Sequence, residues 1–507
     1  MGCFRKFLVI FYAVSAAYFA ALAFWQKKAP RQNGGEGKFL RWGGEAFSAA
    51  AREGRLVFFR VPSFKDPVKS GDALAVLEKN YIQTELDPAA FPADYKALRK
   101  IYERSGADGA VNIGIVSPRG APIFLANRFS GNPDSFSSEL HSLSGAAKAF
   151  RDMGEDFRRH ARAAISVEHK MNEFSGVPYL FFNAGGLSEF PRFRLLFSRA
   201  AAGGVPAAVL AENSRIVARK LFLEKRELPV DTVLLAFACA RDSYAREADG
   251  MSKLLLLRAM SEFAFIDDTD YFRPHFLSEA EKCLDLQGGD GLFRFEPSGG
   301  KAAARLGENS LMLSILSRAY MISGSARFAN ARESLARALD AAADKAGAVP
   351  AILSAEVPSE AEAAQVALLA RGFLDAYFSS ANESHLKTAL KYFDKLDSLY
   401  GGEASDGWFA NSSRSVFAQT LRYLDRVDNV LPSANGEGAQ LLADFSMIRP
   451  GFAPRLATLL NAHSNFLSIN NFDSASFKLA MLSNPMRMRF QSKMYALPQK
   501  DSKSEEK

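Results

Sequence analysis

The sequence predicts a multidomain chain: an N-terminal transmembrane helix, an α/β domain, and then a mostly α domain of helical hairpins in an α/α-toroid-like arrangement. Three observations carry this. Residues 7–24 hold no charged side chain, residues 56–129 alternate short apolar runs with amphipathic stretches, and beyond residue 135 nearly every run is helical in period. With 507 residues, 48% hydrophobic and 23% charged, the chain is too long for one ordinary domain and too balanced for a disordered one. The expected division is a membrane anchor at 1–28, a linker at 29–38, an α/β domain at 39–133, a helical connector at 134–174, a helical-hairpin domain at 175–492 and a disordered charged tail at 493–507.

The apolar run 7–24 follows Arg5-Lys6 and precedes Lys27-Lys28, and its eighteen residues are just enough to cross a hydrocarbon core as a helix. A signal peptide cleaved near Ala21-Leu22-Ala23 is the competing reading, but the apolar run continues past that point. The expectation is a single-pass membrane protein; basic residues nearly balance across the span, so its orientation is left open. Residues 29–38, rich in Pro, Gly and polar side chains, read as a tether, and the glycines before Lys38 lack the strand and the Ser/Thr of a phosphate loop.

The formal charge of +7 invites a nucleic-acid reading. Residues 1–60 carry ten Lys/Arg against three Glu, however, so the rest of the chain is net neutral. A nucleic-acid binder spreads its basic excess over a docking face. No nucleic-acid partner is expected.

Residues 56–61 (LVFFRV) suit a buried strand, 73–81 a helix, 82–87 a strand, 93–105 an amphipathic helix, and 111–117 and 123–129 two further strands, with a polar helix from Ser135. The order βαβαββα, with its first strands parallel through a right-handed crossover, is the thioredoxin arrangement.

Several stretches carry a resemblance. Trp42 with Glu45-Ala46-Phe47, then Leu86-Asp87, Pro92 and Asp94, then Asp108-Gly109 and Ser117-Pro118-Arg119-Gly120-Ala121-Pro122, and finally Gly185-Gly186-Leu187 through Phe193 follow one another as in a known family. The chain resembles the spermatogenesis-associated protein 20 group, whose members join a thioredoxin-like domain to a six-hairpin glycosidase-like α/α-toroid. The resemblance spans residues 40 to about 340 and implies a divergent member. Where the family carries C-x-x-C, this chain reads Pro62-Ser63-Phe64-Lys65-Asp66-Pro67-Val68-Lys69, and the family's Pro before the third strand is matched by Val111. Asp66, Lys69 and Val111 thus mark a degenerate redox position, because exchange needs a thiolate that neither carboxylate nor amine replaces. The segment 300–310 resembles the family's PHFEKMLYDNA but keeps only Leu306, Glu308 and Asn309, with Lys301 and Ala303 in place of its His and Glu.

In the helical body, residues 232–265, 311–321, 326–343, 361–378, 385–399 and 455–467 read as helices. Leu316-Ser317-Arg318-Ala319-Tyr320 is echoed by Leu369-Ala370-Arg371-Gly372-Phe373, and Asp290-Gly291-Leu292-Phe293 by Asp406-Gly407-Trp408-Phe409. A spacing of about 58 residues is one helical hairpin with a glycine-turned loop, which buries its apolar face only against neighbours. Four hairpins are legible after residue 230 and a fifth near 190–225; a complete ring of six is not.

In such rings the loops at one mouth carry the ligand site. Phe293, Phe295, Trp408 and Phe409 are therefore the candidate ligand-binding aromatics, although Asp-Gly turn chemistry with core-plugging rings explains the same pattern. Glycoside hydrolysis would need two facing carboxylates, for which Asp290, Glu296, Glu308 and Asp406 are the candidates. The six histidines have no ligand spacing and Asp267-Asp268-Thr269-Asp270 lacks a calcium loop's glycine and distal glutamate, so neither a metal nor a cofactor is expected. The leading expectation is a membrane-anchored, redox-inactive binding or scaffolding protein for a glycan or protein partner. The alternative is a carbohydrate-active enzyme, a glycosidase or sugar epimerase, using carboxylates of the ring loops.

Overall fold

A computed structural model describes residues 39–64, 71–104, 109–128, 140, 190–223, 230–266, 271–295, 303–344, 348–353, 359–402, 407–415, 417, 423–463 and 474–481. The anchor 7–24, the linker, most of the connector 134–174 and the tail lie outside the described residues. No described helix is long and apolar enough to cross a membrane. The chain divides into two compact units, Met1–Asp87 with Leu98–His160 and Pro88–Ala97 with Ala161–Lys507.

The first unit is built on a small mixed sheet. Its strands are β1 (Leu40–Arg41), β2 (Leu56–Arg60), β3 (Tyr81–Glu85), β4 (Ile113–Val116) and β5 (Pro122–Ala126), in the order β1-β3-β2-β4-β5. β1, β3 and β2 are parallel, and β4 and β5 add antiparallel. β2 is apolar on both faces because both are covered: Leu56 and Phe58 join Val76 and Leu77 of α2 (Gly71–Asn80) in one core cluster, while Phe59 meets Trp42 edge-on at 5.5 Å. Gly114 on β4 is required by that packing, since a Cβ there would come within 2.5 Å of the Phe59 ring. The strands expected at 56–61, 82–87, 111–117 and 123–129 and the helices expected at 73–81 and 93–105 are present, the last as α3 (Pro92–Arg104), while the helix expected from Ser135 lies outside the described residues but for residue 140; β1 and α1 (Gly44–Glu53) were not legible as periodic segments, one being too short and the other rich in alanine.

The second unit is helical: α4 (Phe190–Ala201), α5 (Ala207–Leu223), α6 (Val230–Arg246), α7 (Gly250–Ile266), α8 (Arg273–Leu284), α9 (Leu306–Ser323), α10 (Ala326–Ala343), α11 (Ala363–Ser380), α12 (Glu383–Tyr400), α13 (Ala434–Ile448), α14 (Ala453–Ala462) and α15 (Ala475–Met481). The expected single run 232–265 is two helices, because Asp249 and Gly250 start a new one: the Asp249 side chain accepts from the Ser252 N–H at 2.9 Å. Every second helix packs on the next such helix, α5 on α7, then α9, α11, α13 and α15, and α15 returns to α5. Six inner helices therefore close a ring, with the others outside them. The inner members α7, α9 and α11 are buried on nearly every face, whereas the outer α12 buries one stripe, Leu386, Ala389, Tyr392, Phe393 and Leu396. Because inner helices alternate with outer ones along the chain, all six point the same way, and their amino-terminal ends share one mouth.

Candidate functional site

Residues 290–293 and 407–409 lie at that mouth, and each stretch is held by an asparagine from the first turns of the inner helix that follows. Asn309 of α9 accepts from the Phe293 N–H at 2.7 Å and donates to the Phe293 carbonyl at 2.9 Å. Asn435 of α13 does the same to Trp408, at 2.8 and 2.7 Å. Gly291 and Gly407 both have positive φ, 83° and 142°, as the turn chemistry requires. The loops thus turn their aromatics inward. Phe293 (0% exposed), Phe295 (8%), Trp408 (1%) and Phe409 (6%) are core side chains, which corrects the expectation of an exposed sugar platform. Trp408 meets Phe393 edge-on at 5.9 Å and donates its indole N–H to Asp397 at 2.8 Å, so its polar edge is satisfied within the fold.

The centre of the ring is filled by ion pairs. Glu262 of α7 accepts from Arg215 and Arg219 of α5 (3.0 and 3.2 Å) and is ion-paired with Arg318 of α9 (3.0 Å), which donates to the Ser261 hydroxyl. Glu437 of α13 takes both terminal nitrogens of Arg258 (2.8 and 3.0 Å) and the Arg371 Nε (2.9 Å). Helices α7 and α13 stand opposite each other in the ring, so the Arg258–Glu437 pair spans its lumen. Glu212 on Arg215, and Asp444 and Asp375 on Arg371, complete a set of five arginines and five acids that is neutral overall. Burial alone would raise Glu437, but Arg258 and Arg371 outweigh it and hold the carboxyl well below its ordinary range; three arginines do the same for Glu262. Carboxylates so held accept hydrogen bonds and cannot act as proton donors. Of this network, sequence reasoning found only Arg318 and Arg371, as letters of a repeat. Arg258 sits in a third copy, Leu256-Leu257-Arg258-Ala259-Met260, and an arginine inside an otherwise apolar helix was the available signal.

Two acids behave oppositely. Burial pushes Asp428 up to about 8, with Glu212 adding, yet its oxygens accept from Ser433 and Ser476 backbone N–H groups at 2.8 and 2.9 Å and from the Ser476 hydroxyl. It is a latch between α13 and α15. Glu308, in the first turn of α9, is likewise pushed up to about 8 by burial, against Arg305 and with Asp249 adding. Among the described residues neither of its carboxyl oxygens has a hydrogen-bond partner, and its side chain is 1% exposed. Glu308 and Phe295 both lie against Gly250 at the start of α7, where an added Cβ would come within 3.2 Å of Glu308 Oε1 and 2.4 Å of the Phe295 Cβ. Glu308 is thus a buried acid at the mouth with a raised pKa and no hydrogen bond among the described residues, and the exposed Asp249 begins the neighbouring helix.

The other candidates are not assembled with it. Asp290 is exposed and paired with Arg294 at 2.9 Å, which lowers its pKa. Glu296, Asp406, Asp66 and Lys69 lie outside the described residues, and Val111 is fully buried. Among the described residues no three His, Cys, Asp or Glu side chains gather as metal ligands.

No protein-family profile matches the sequence, and no curated protein does. Solved structures similar to it include the GH76 alpha-mannanase of Bacteroides thetaiotaomicron as a selenomethionine derivative (9% identity, TM-score 0.42, covering 58% of this chain and 88% of that one). The unsaturated glucuronyl hydrolase of Bacillus sp. GL1 is similar at 12% identity and TM-score 0.43, over 55% of this chain and 85% of that one. Cellobiose 2-epimerase of Bacillus thermoamylovorans B4167 follows at 6% and 0.43, over 55% and 88%. These neighbours are carbohydrate-active enzymes, and at such scores the likeness identifies neither a family nor an activity for this chain.

Proposed function

We propose that the helical unit is a carbohydrate-active module whose acid is Glu308. The observation that carries this is the buried carboxyl of Glu308 at the ring mouth, which has no hydrogen-bond partner among the described residues and whose pKa burial pushes up to about 8. A buried acid left without partners costs stability and contributes nothing to packing that a leucine would not. An acid whose pKa is raised into the working range is what protonation of a glycosidic or hydroxyl oxygen needs, and Asp249 is the second carboxyl group whose charge reaches it. The test is turnover of a panel of mono- and oligosaccharides by the full-length protein and by Glu308→Gln. Loss of about 100-fold or more in kcat in the variant is expected; equal turnover by both proteins refutes the role of Glu308.

A second reading, a non-catalytic scaffold for a glycan or protein, is favoured by the neutral network that crosses the lumen. Stable capture of a partner with no turnover across the panel would select it. Both readings keep the first unit as a redox-inactive, thioredoxin-like domain related to the spermatogenesis-associated protein 20 group, supported by its strand order and by the absence of cysteine from residues 39–133. Both also keep residues 7–24 as a membrane anchor, testable by resistance of the protein to alkaline carbonate extraction.

A further inference from the structure

Resting on the sugar reading of the ring mouth, we propose that Arg305 and Glu308 together recognise a sugar bearing a carboxylate, Arg305 taking its charge and Glu308 donating a proton to one of its oxygens. Arg305 precedes α9 and is one-third exposed, 34%. Its one ionic contact is Glu308 Oε1 at 3.6 Å, beyond hydrogen-bond length, and its guanidinium has no acceptor among the described residues. That is unusual beside so many paired arginines: Arg215, Arg258, Arg318 and Arg371 each reach a carboxylate oxygen at 3.0 Å or less.

The two groups are complementary to one ligand chemistry. A guanidinium beside an ionised glutamate would be internally satisfied and would repel a second carboxylate through that glutamate. A guanidinium beside a neutral acid keeps its charge uncompensated, and the acid supplies an O–H donor, so the pair offers N–H and O–H donors beside an unpaired positive charge. A ligand carboxylate accepts from both. A neutral sugar would leave the guanidinium unpaired. The charged or titratable groups that act on Glu308 are Arg305 on its own helix and Asp249 at the start of α7. Asp249 disfavours a second negative charge there, which adds to keeping Glu308 protonated. Ligand affinity must then fall once alkaline pH ionises Glu308.

Glucuronate and glucose differ by the carboxylate in question and serve as the probes, titrated calorimetrically into the full-length protein between pH 6 and pH 9. Glucuronate is expected to bind about tenfold or more tightly than glucose at pH 6.5, as one charge-assisted pair is worth, with affinity falling above about pH 8. Glu308→Gln, which keeps a donor and cannot ionise, should retain the preference and lose the alkaline fall; Arg305→Ala should lose the preference while Arg305→Lys restores part of it. Equal affinity for the two sugars overturns the inference and leaves the sugar reading standing. Binding of neither sugar overturns the inference and counts against that reading as well. A preference that survives in Arg305→Ala also overturns it, and the melting temperature of each variant shows whether it is folded.

Discussion

Asn435 holds Trp408 by its backbone, accepting from its N–H at 2.8 Å and donating to its carbonyl at 2.7 Å, so that one side chain stands in for a strand partner. Asn309 grips Phe293 in the same way. Removing the Asn435 amide leaves the buried Trp408 N–H without its acceptor, whereas the Trp408 carbonyl keeps the Asp425 N–H at 3.2 Å. Asn435→Ala should therefore destabilise the protein by about 1–3 kcal/mol, seen as a lower urea midpoint. A change within about 0.5 kcal/mol would mean that the loop is held by something else.

The lumen network predicts an asymmetry between buried and exposed pairs. Glu437→Gln leaves Arg258 charged and uncompensated inside the ring, while Arg371 keeps Asp444 and Asp375, and breaking a buried pair from one side costs about 3–5 kcal/mol. Asp290→Ala removes the exposed pair with Arg294 and should change stability by no more than about 1 kcal/mol. Equal losses in the two variants, measured by chemical denaturation, would show that the central carboxylates are not what holds the inner helices in register.

Glu308 sets a pH dependence of definite sign. Its pKa is about 8 in the folded chain against 4.5 as a free side chain, so between those values the folded state holds a proton that the unfolded state has released. Its contribution is full below pH 4.5 and is lost as pH rises through 8. The melting temperature should drift down across that window, and Glu308→Gln should reduce the drift, leaving the part that Asp428 causes by the same route. An unchanged slope in the variant would place Glu308 in contact with solvent. The opposite sign holds for Glu262 and Glu437, whose lowered pKa values make the network fail as pH falls below the ordinary carboxylate range.

Trp408→Ala separates the two roles that its sequence context allowed. As a core side chain it fills the space above Gly438, where an added Cβ would sit 2.2 Å from the indole. The substitution should cost about 3–5 kcal/mol by opening a cavity. A variant of undiminished stability that has lost sugar binding would restore the platform reading.

The sequence by itself determined β2 to β5 and most of the longer helices, the repeat and the missing thiols, because apolar periodicity and residue chemistry are local properties. Arg318 and Arg371 stood out as repeat letters, and Asp290-Gly291 and Asp406-Gly407 as turns, for the same reason. Only the tertiary structure decided that Arg258 meets Glu437 across the ring, 179 residues away in sequence. It also decided that Phe293 and Trp408 point inward and that Glu308, alone among the described candidate acids, is buried without a partner. Those outcomes depend on which helix faces which after closure, and one apolar stripe fits an inner or an outer position equally well. Closure of the sixth hairpin, α14 with α15, was hidden for a related reason: α15 is seven residues long, too short for a helical period to show.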